Sequence, residues 1–278
     1  MARVVRFHEI GGPEVLRIDD VDVPPPGADE VRIRVKALGI NRAESMFRRG
    51  QYIVEPKFPE RLGYEAAGIV ETVGTNVKGF APGDAVSVVP SLLMPRWPAY
   101  GELAIFPAEL VVKHPSTLSW KEAAAAWMQY ITAYGALIDV AKLAKGDFVV
   151  ITAASSSVGV ASIQIANMVG ATPIATTRTS AKKQAILEAG AAHVIATEEE
   201  DFAARVREIT GTAGARVIFD PIAGPGIEGL IDALVPSGIL IVYGMLSGQP
   251  TPFPLFKALI NSLTLRGFIY SEIVADSS

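Results

Sequence analysis

From residue 4 to about residue 112 the apolar positions come in short bursts, several alternating with polar ones, with Gly- and Pro-rich turns between them. Val31, Ile33 and Val35 alternate with Arg32, Arg34 and Lys36, which predicts a half-buried strand with one charged face. Segments 16–18, 68–74, 84–89, 102–106 and 110–113 read as further strands. The turn signals Gly11-Gly12-Pro13, Gly74-Thr75-Asn76 and Pro82-Gly83-Asp84 lie among them. Many short strands joined in this way predict a partly closed all-β domain.

After residue 118 the period changes. Ser119 followed by Glu122 makes a capping box for a helix at 120–126 that runs on toward 132–134, and a second helix covers 134 to about 141. Strands are then predicted at 148–152, 172–176, 193–196, 216–220 and 238–243, with helices at 158–169, 180–188, 200–209 and 226–235 between them. The strands are short and apolar, as a sheet covered on both faces requires. The pattern is α/β, a doubly wound parallel sheet. Beyond it, 255–263 reads as a helix and 264–270 as a strand. Two domains are expected, 1–120 and 121–278.

Composition narrows the function classes. Half of the 278 residues are hydrophobic, 19% are charged and the formal net charge is -4, so no basic surface for nucleic acid is expected. No apolar run reaches the roughly 18 residues of a bilayer span, and the N-terminus lacks the order of a signal peptide. Cysteine is absent, which removes thiolate nucleophiles and sulfur-bound zinc, and His8, His114 and His193 lie far apart. No metal is expected, and the cytoplasm is the default location.

The most telling stretch is 146–159, Gly-Asp-Phe-Val-Val-Ile-Thr-Ala-Ala-Ser-Ser-Ser-Val-Gly. A β-branched run stops at tiny residues and a helical pattern begins, the strand, turn and helix of a dinucleotide site. The positions of G-x-G-x-x-G fall on Ala154, Ser156 and Gly159, so only the third glycine remains. Ser155, Ser156 and Ser157 either offer hydroxyls to a pyrophosphate or make a compact turn of any α/β protein. Twenty residues on, segment 174–183 holds no Asp or Glu but has Arg178, Lys182 and Lys183. A carboxylate there would accept the ribose hydroxyls of NAD, whereas Arg178 and Lys182 suit a 2′-phosphate, so NADPH is favoured over solvated surface cations. Asp220 either orients backbone near the cofactor or caps a helix. In the first domain Asn41, Tyr52 and Tyr64 are the best uncharged polar candidates, with core or loop support as the other reading. Glu65 is either reactive or the buried partner of a basic group.

The segments 63–70 (Gly-Tyr-Glu-Ala-Ala-Gly-Ile-Val), 79–86 (Gly-Phe-Ala-Pro-Gly-Asp-Ala-Val), Thr132-Ala133-Tyr134 and 153–159 together resemble the medium-chain dehydrogenase/reductase superfamily, in its zinc-free quinone oxidoreductase branch. The resemblance runs along essentially the whole chain. It implies a GroES-like β domain beside a Rossmann domain, with hydride passing from NADPH to a quinone or to the activated C=C bond of an enone. A zinc-independent carbonyl or alcohol oxidoreductase and a non-catalytic NADPH-binding protein are the rivals. Zinc-dependent relatives place Cys in the segment matched by 39–42, His at the position of Tyr64 and a four-Cys lobe near 90–100. None of these stands here.

By the same resemblance Asn41, Tyr52 and Tyr64 line the substrate side as catalytic candidates, and Thr132 contacts the nicotinamide. Ser156, Ser157 and Val158 hold the pyrophosphate, and Thr177, Arg178 and Lys182 the adenosine end with its 2′-phosphate. Tyr243, Gly244 and Met245 flank the carboxamide, and strand 264–270 joins two subunits into a homodimer. Relatives continue past residue 278 to complete the β domain, so a missing C-terminal part is also expected.

Overall fold

The computed structural model describes residues 1–91, 94–211 and 213–274. Residues 92–93 of the segment matched to the four-Cys lobe, and 275–278 at the end of the expected second domain, lie outside the described residues. The chain divides into two compact units, one built from Met1–Met128 and the other from Gln129–Ile273.

The first unit has antiparallel strands β1 (Ala2–Phe7), β2 (Leu16–Val21), β3 (Glu30–Leu38), β4 (Glu60–Arg61), β5 (Ala66–Val73), β6 (Ala85–Val88), β7 (Leu103–Pro107) and β8 (Val111–Lys113). They form one sheet of order β2-β1-β4 and another of order β7-β3-β5-β6-β8. The alternation in β3 works as expected. Val31 and Ile33 are fully buried with Val70, Val86 and Phe106, while Arg32 and Arg34 both pair with Glu71 on the outer face.

The same unit holds a helix that the apolar pattern did not predict, α1 (Arg42–Arg48). Seven residues are under two turns, too short for a 3.6-residue period to show. Its signal is local. Asn41 and Glu44 form a reciprocal capping box. Phe47 is fully buried edge-on against Phe7, with ring centroids 5.5 Å apart. Arg48 donates to the carbonyl of Gly11 at 2.9 Å, so the arginines of this stretch are not one basic patch. Helix α2 (Trp120–Ala125) starts at the Ser119–Glu122 capping box and packs on β3 and β5.

The second unit begins within α3 (Trp127–Tyr134), which runs into a π-helical turn at Gly135–Val140. The helix break therefore falls at Ala126 and not at Tyr134. There follow β9 (Phe148–Ile151), α4 (Ser157–Met168), β10 (Thr172–Thr177), α5 (Lys183–Glu188), β11 (His193–Ala196), α6 (Phe202–Thr210), β12 (Ala215–Asp220), α7 (Ile227–Ile231), β13 (Leu234–Val242), α8 (Leu255–Ile260) and β14 (Thr264–Gly267). All pairs in the sheet are parallel, in the order β11-β10-β9-β12-β13-β14. Renumbered within the unit this is 3-2-1-4-5-6, the Rossmann order.

Three expected boundaries shift. The helix expected over 226–235 ends at Ile231, and Leu234 is already paired with Ala215. Pro236 is the cause, because it has no N–H to give a helix and drives Val235 to extended backbone. The helix expected over 255–263 ends at Ile260, before Ser262 at φ +51°. The strand expected over 264–270 stops at Gly267, and Tyr270–Glu272 is a 3-10 turn. Among the described residues no helix is long and apolar enough to cross a membrane.

Candidate functional site

In a 3-2-1-4-5-6 sheet the chain reverses its winding between the first and fourth strands, here β9 and β12, and ligands bind outside the carboxyl ends at that point. The connection from β9 to α4 lies there. Ser156 is the N-cap of α4, and its Oγ accepts from the Gly159 N–H at 3.1 Å. The first-turn amides of Ser157 and Val158 have no partner within the helix, and the helix dipole adds partial positive charge beside them. Gly159 is a packing requirement, since a Cβ there would stand 2.6 Å from the Cα and carbonyl oxygen of Ala154. Helix and turn are thus pressed together, with three serine hydroxyls around an amide-rich helix start.

At the end of β10, Arg178 is exposed, and the Lys182 Nζ lies 3.5 Å from Ser155 Oγ, at the edge of hydrogen-bond range. Thr177 is half-buried, and its carbonyl is taken by Thr197 on the neighbouring strand's exit. The segment 174–183 has no carboxylate of its own, but Glu199 reaches it from the following turn. Its Oε1 accepts from the Ser180 N–H at 2.9 Å and from Ser180 Oγ at 3.3 Å. The reading of the segment alone missed this acid, because its approach depends on the β10–β11 register.

Across the switch point Asp220 is fully buried at the end of β12. Thr152 Oγ1 donates to its Oδ1, and its Oδ2 accepts from the N–H groups of Ile222 and Ala223, at 3.2 and 2.6 Å. Of the two readings left open for this residue, the structure makes it a holder of backbone. Gly244 lets the tip of β13 approach this turn, since a Cβ there would lie 2.8 Å from the Pro221 carbonyl oxygen. Tyr243 stacks on Phe219 with ring centroids 4.0 Å apart, and Met245 is exposed. Thr132 is buried on α3.

In the first unit Asn41, Tyr52 and Tyr64 belong to one hydrogen-bonded network. Glu44, buried at the third position of α1, accepts from the Asn41 N–H at 2.8 Å, the Tyr64 N–H at 3.0 Å and the Tyr100 hydroxyl at 2.5 Å. Asn41 Nδ2 donates to Glu65 Oε2 at 2.9 Å, and Glu65 Oε1 accepts from the Met128 N–H at 2.8 Å. The hydroxyls of Tyr64 and Tyr52 are 2.7 Å apart. Burial raises the Glu44 carboxyl above its ordinary value although four hydrogen bonds oppose it. Burial also pushes Glu65 up to about 6, against the pull of the Met128 and Asn41 donors. The Tyr52 and Tyr100 phenols are raised by burial as well. Glu65 therefore faces amides, not the basic partner that was one of its two readings. Glu44 was not singled out from the sequence, though its N-x-x-E spacing from Asn41 was the available signal.

The sequence profile described as "Zinc-binding dehydrogenase" matches residues 157–277, and that described as "Alcohol dehydrogenase GroES-like domain" matches residues 27–116. Quinone oxidoreductase 1 of Escherichia coli K12 is 35% identical over 251 residues, which cover 90% of this chain and 75% of that protein. The chain belongs to the medium-chain dehydrogenase/reductase superfamily. A 2-haloacrylate reductase of a Burkholderia species is 33% identical, over 97% of this chain and 79% of its own length. The crystal structure of Escherichia coli quinone oxidoreductase complexed with NADPH superposes with a TM-score of 0.88 at 32% identity, covering 98% of this chain and 82% of that one. As a member of the superfamily the chain pairs a GroES-like antiparallel β domain with a Rossmann-like parallel sheet. It resembles the zinc-independent quinone oxidoreductases. It has no cysteine, and among the described residues no three His, Cys, Asp or Glu side chains are grouped to hold a metal ion.

Proposed function

We propose that this chain is an NADPH-dependent reductase that transfers hydride to a quinone or to the activated C=C bond of an enone. The residues at the switch point suit the cofactor. The first turn of α4 offers free amides and the hydroxyls of Ser155, Ser156 and Ser157 to a diphosphate. The observation that carries the preference for NADPH is the end of β10, where Arg178 is exposed and Lys182 sits beside the turn with no carboxylate in the segment itself. Thr177 belongs to the same adenosine end, while Thr132, Gly244 and Met245 are assigned to the nicotinamide.

NADPH, when bound, supplies the hydride; the side chains of this protein align, exclude water and stabilise charge. Tyr64 donates to Tyr52, so the Tyr52 proton is left to point at an acceptor oxygen. A carbonyl or quinone oxygen gaining negative charge is such an acceptor. Asn41, whose Nδ2 donates to Glu65, is held in one orientation within the same network.

Oxidation of NADPH and NADH against matched enones, quinones and saturated ketones tests the reading, with products identified. We expect NADPH to be preferred, and a saturated ketone or a hydroquinone to form. Alcohol formed from ketones favours the carbonyl reductase rival, and cofactor binding without any turnover favours a non-catalytic role.

We also propose a homodimer through β14. Among the described residues that strand pairs on one side only, with β13, and just before it in the chain Phe253, Phe256, Leu259 and Ile260 are exposed on and before α8. Sedimentation as a monomer at high protein concentration refutes it.

A further inference from the structure

Three arginines stand in one row across the β2-β1-β4 sheet. Arg6 of β1 lies directly opposite Arg17 of β2 on one side and opposite Arg61 of β4 on the other. Residues paired in this way share a face of the sheet, and like charges set opposite one another repel. Few acids offset the repulsion. Asp19 Oδ2 serves both Arg6, at 3.5 Å, and His8, at 3.0 Å. Glu60 is a neighbour, but its oxygens are taken by backbone: Oε1 accepts from the Arg61 N–H at 3.0 Å and Oε2 from the Lys57 N–H at 3.3 Å.

Arg61 is the least compensated of the three. Its Nη2 lodges beside Gly101 and donates to the carbonyls of Pro98 and Leu103 at 3.5 and 3.4 Å, both long for a hydrogen bond. Among the described residues no carboxylate lies within ion-pair distance of its guanidinium, and its Nη1 donates to no group and, unlike its Nε, is not closed off from solvent. Burial and the Arg6 charge hold the Arg61 guanidinium below its ordinary value, with Glu60 opposing. A half-buried cation beside a like charge, without an acid of its own, is costly until something compensates it.

We propose that this row is a binding site for a phosphate group, with Arg61 and Arg6 as its two clamps and exposed Arg17 at its open edge. Three guanidinium groups share the Asp19 carboxylate, so an anion restores the balance. Guanidinium groups are donors only, so the occupant brings the acceptors. Neighbouring strands stand about 4.8 Å apart, and forks from β1 and β4 can hold different oxygens of one tetrahedral anion. A planar carboxylate, with two oxygens, serves two forks less well. The site lies within the first unit and stands independently of the nucleotide reading.

The variant Arg61→Met keeps the length of the side chain and removes its charge. Calorimetry with inorganic phosphate, and with glycerol phosphate as an ester, is run on wild type and variant at an ionic strength held constant with chloride. Phosphate taken up in the second unit then appears equally in both proteins. The wild type should bind phosphate, and Arg61→Met should bind it at least about tenfold more weakly, as loss of bonds to a charged group gives. Without phosphate the melting midpoint of Arg61→Met should equal or exceed that of wild type, since an uncompensated charge is gone. Binding of both compounds makes the phosphate group of a larger molecule the ligand, and binding of the free ion alone makes inorganic phosphate the ligand. Arg17→Gln changes an exposed residue of the edge strand, so it is the second variant should Arg61→Met not fold, and a loss of about threefold is expected there. A wild type without affinity for either compound, or equal affinity in wild type and in every variant that folds, overturns the proposal.

Discussion

Replacing Glu65 by Gln separates the burial of a charge from the hydrogen bonds around it. The Glu65 carboxyl is raised from 4.5 to about 6, first by burial, with the Met128 N–H and the Asn41 amide opposing. At about 1.4 kcal/mol per pH unit, that difference is worth about 2 kcal/mol. Its sign follows from proton counting. Between pH 4.5 and 6 the folded state binds more protons at this site than the unfolded chain does, so stability falls as pH rises. The contribution is complete below 4.5 and lost above 6. The substituted side chain cannot titrate, but one end of its amide presents a donor to either the Met128 N–H or the Asn41 Nδ2 group. That clash makes the difference at any single pH ambiguous, whereas its change with pH is not. The stability difference between wild type and Glu65→Gln should shift by about 2 kcal/mol in favour of the variant between about pH 4.5 and 7. Glu44 is raised in the same sense and remains in the variant, so the pH slope shrinks but persists. Urea unfolding followed by tryptophan fluorescence reports on the right unit, because all three tryptophans, Trp97, Trp120 and Trp127, lie within Met1–Met128. A difference that stays constant across this pH range, or changes in the opposite direction, refutes the argument.

Three further outcomes follow from the same structure. Arg178→Ala should weaken NADPH by about tenfold or more while leaving NADH nearly untouched, and equal losses for both in a binding titration remove Arg178 from the 2′-phosphate. Gly159→Ala places a Cβ 2.6 Å from backbone atoms of Ala154, so the helix start must move. A loss of about 1–3 kcal/mol is expected, with weaker binding of both cofactors. A variant with wild-type melting and affinity contradicts that packing. Tyr52→Phe should lower the turnover number for enones by about tenfold or more without changing NADPH affinity, as loss of one charge-stabilising donor predicts. An unaltered rate shows that the oxygen is stabilised elsewhere.

Much of the fold was legible because its signals are local. In β3 alternation names the buried face, and after residue 148 short apolar runs alternate with helical ones, which leaves a parallel sheet as the economical solution. Where the reading slipped, a single residue or a short span outweighed the pattern. Pro236 ends a run whose apolar residues continue into β13, and periodicity does not register a prolyl nitrogen. Helix α1 has too few residues to show a period, and only its capping spacing betrays it.

The site divides along the same line. The strand, turn and helix after residue 148 could be found from sequence because their residues are consecutive, and so could the absence of an acid and the cations that follow β10. Contacts between distant segments could not. Glu199 reaches Ser180 through strand register, Asn41 reaches Glu65 across 24 positions, and Tyr243 meets Phe219 of the neighbouring strand. This bears on how the glycine-poor turn works. On its own, a serine at position 156 looks like a defect, since its side chain holds a phosphate away from the backbone. In the fold its Oγ caps the helix, accepting from the Gly159 N–H, so the serine secures the helix start whose first-turn amides it stands beside.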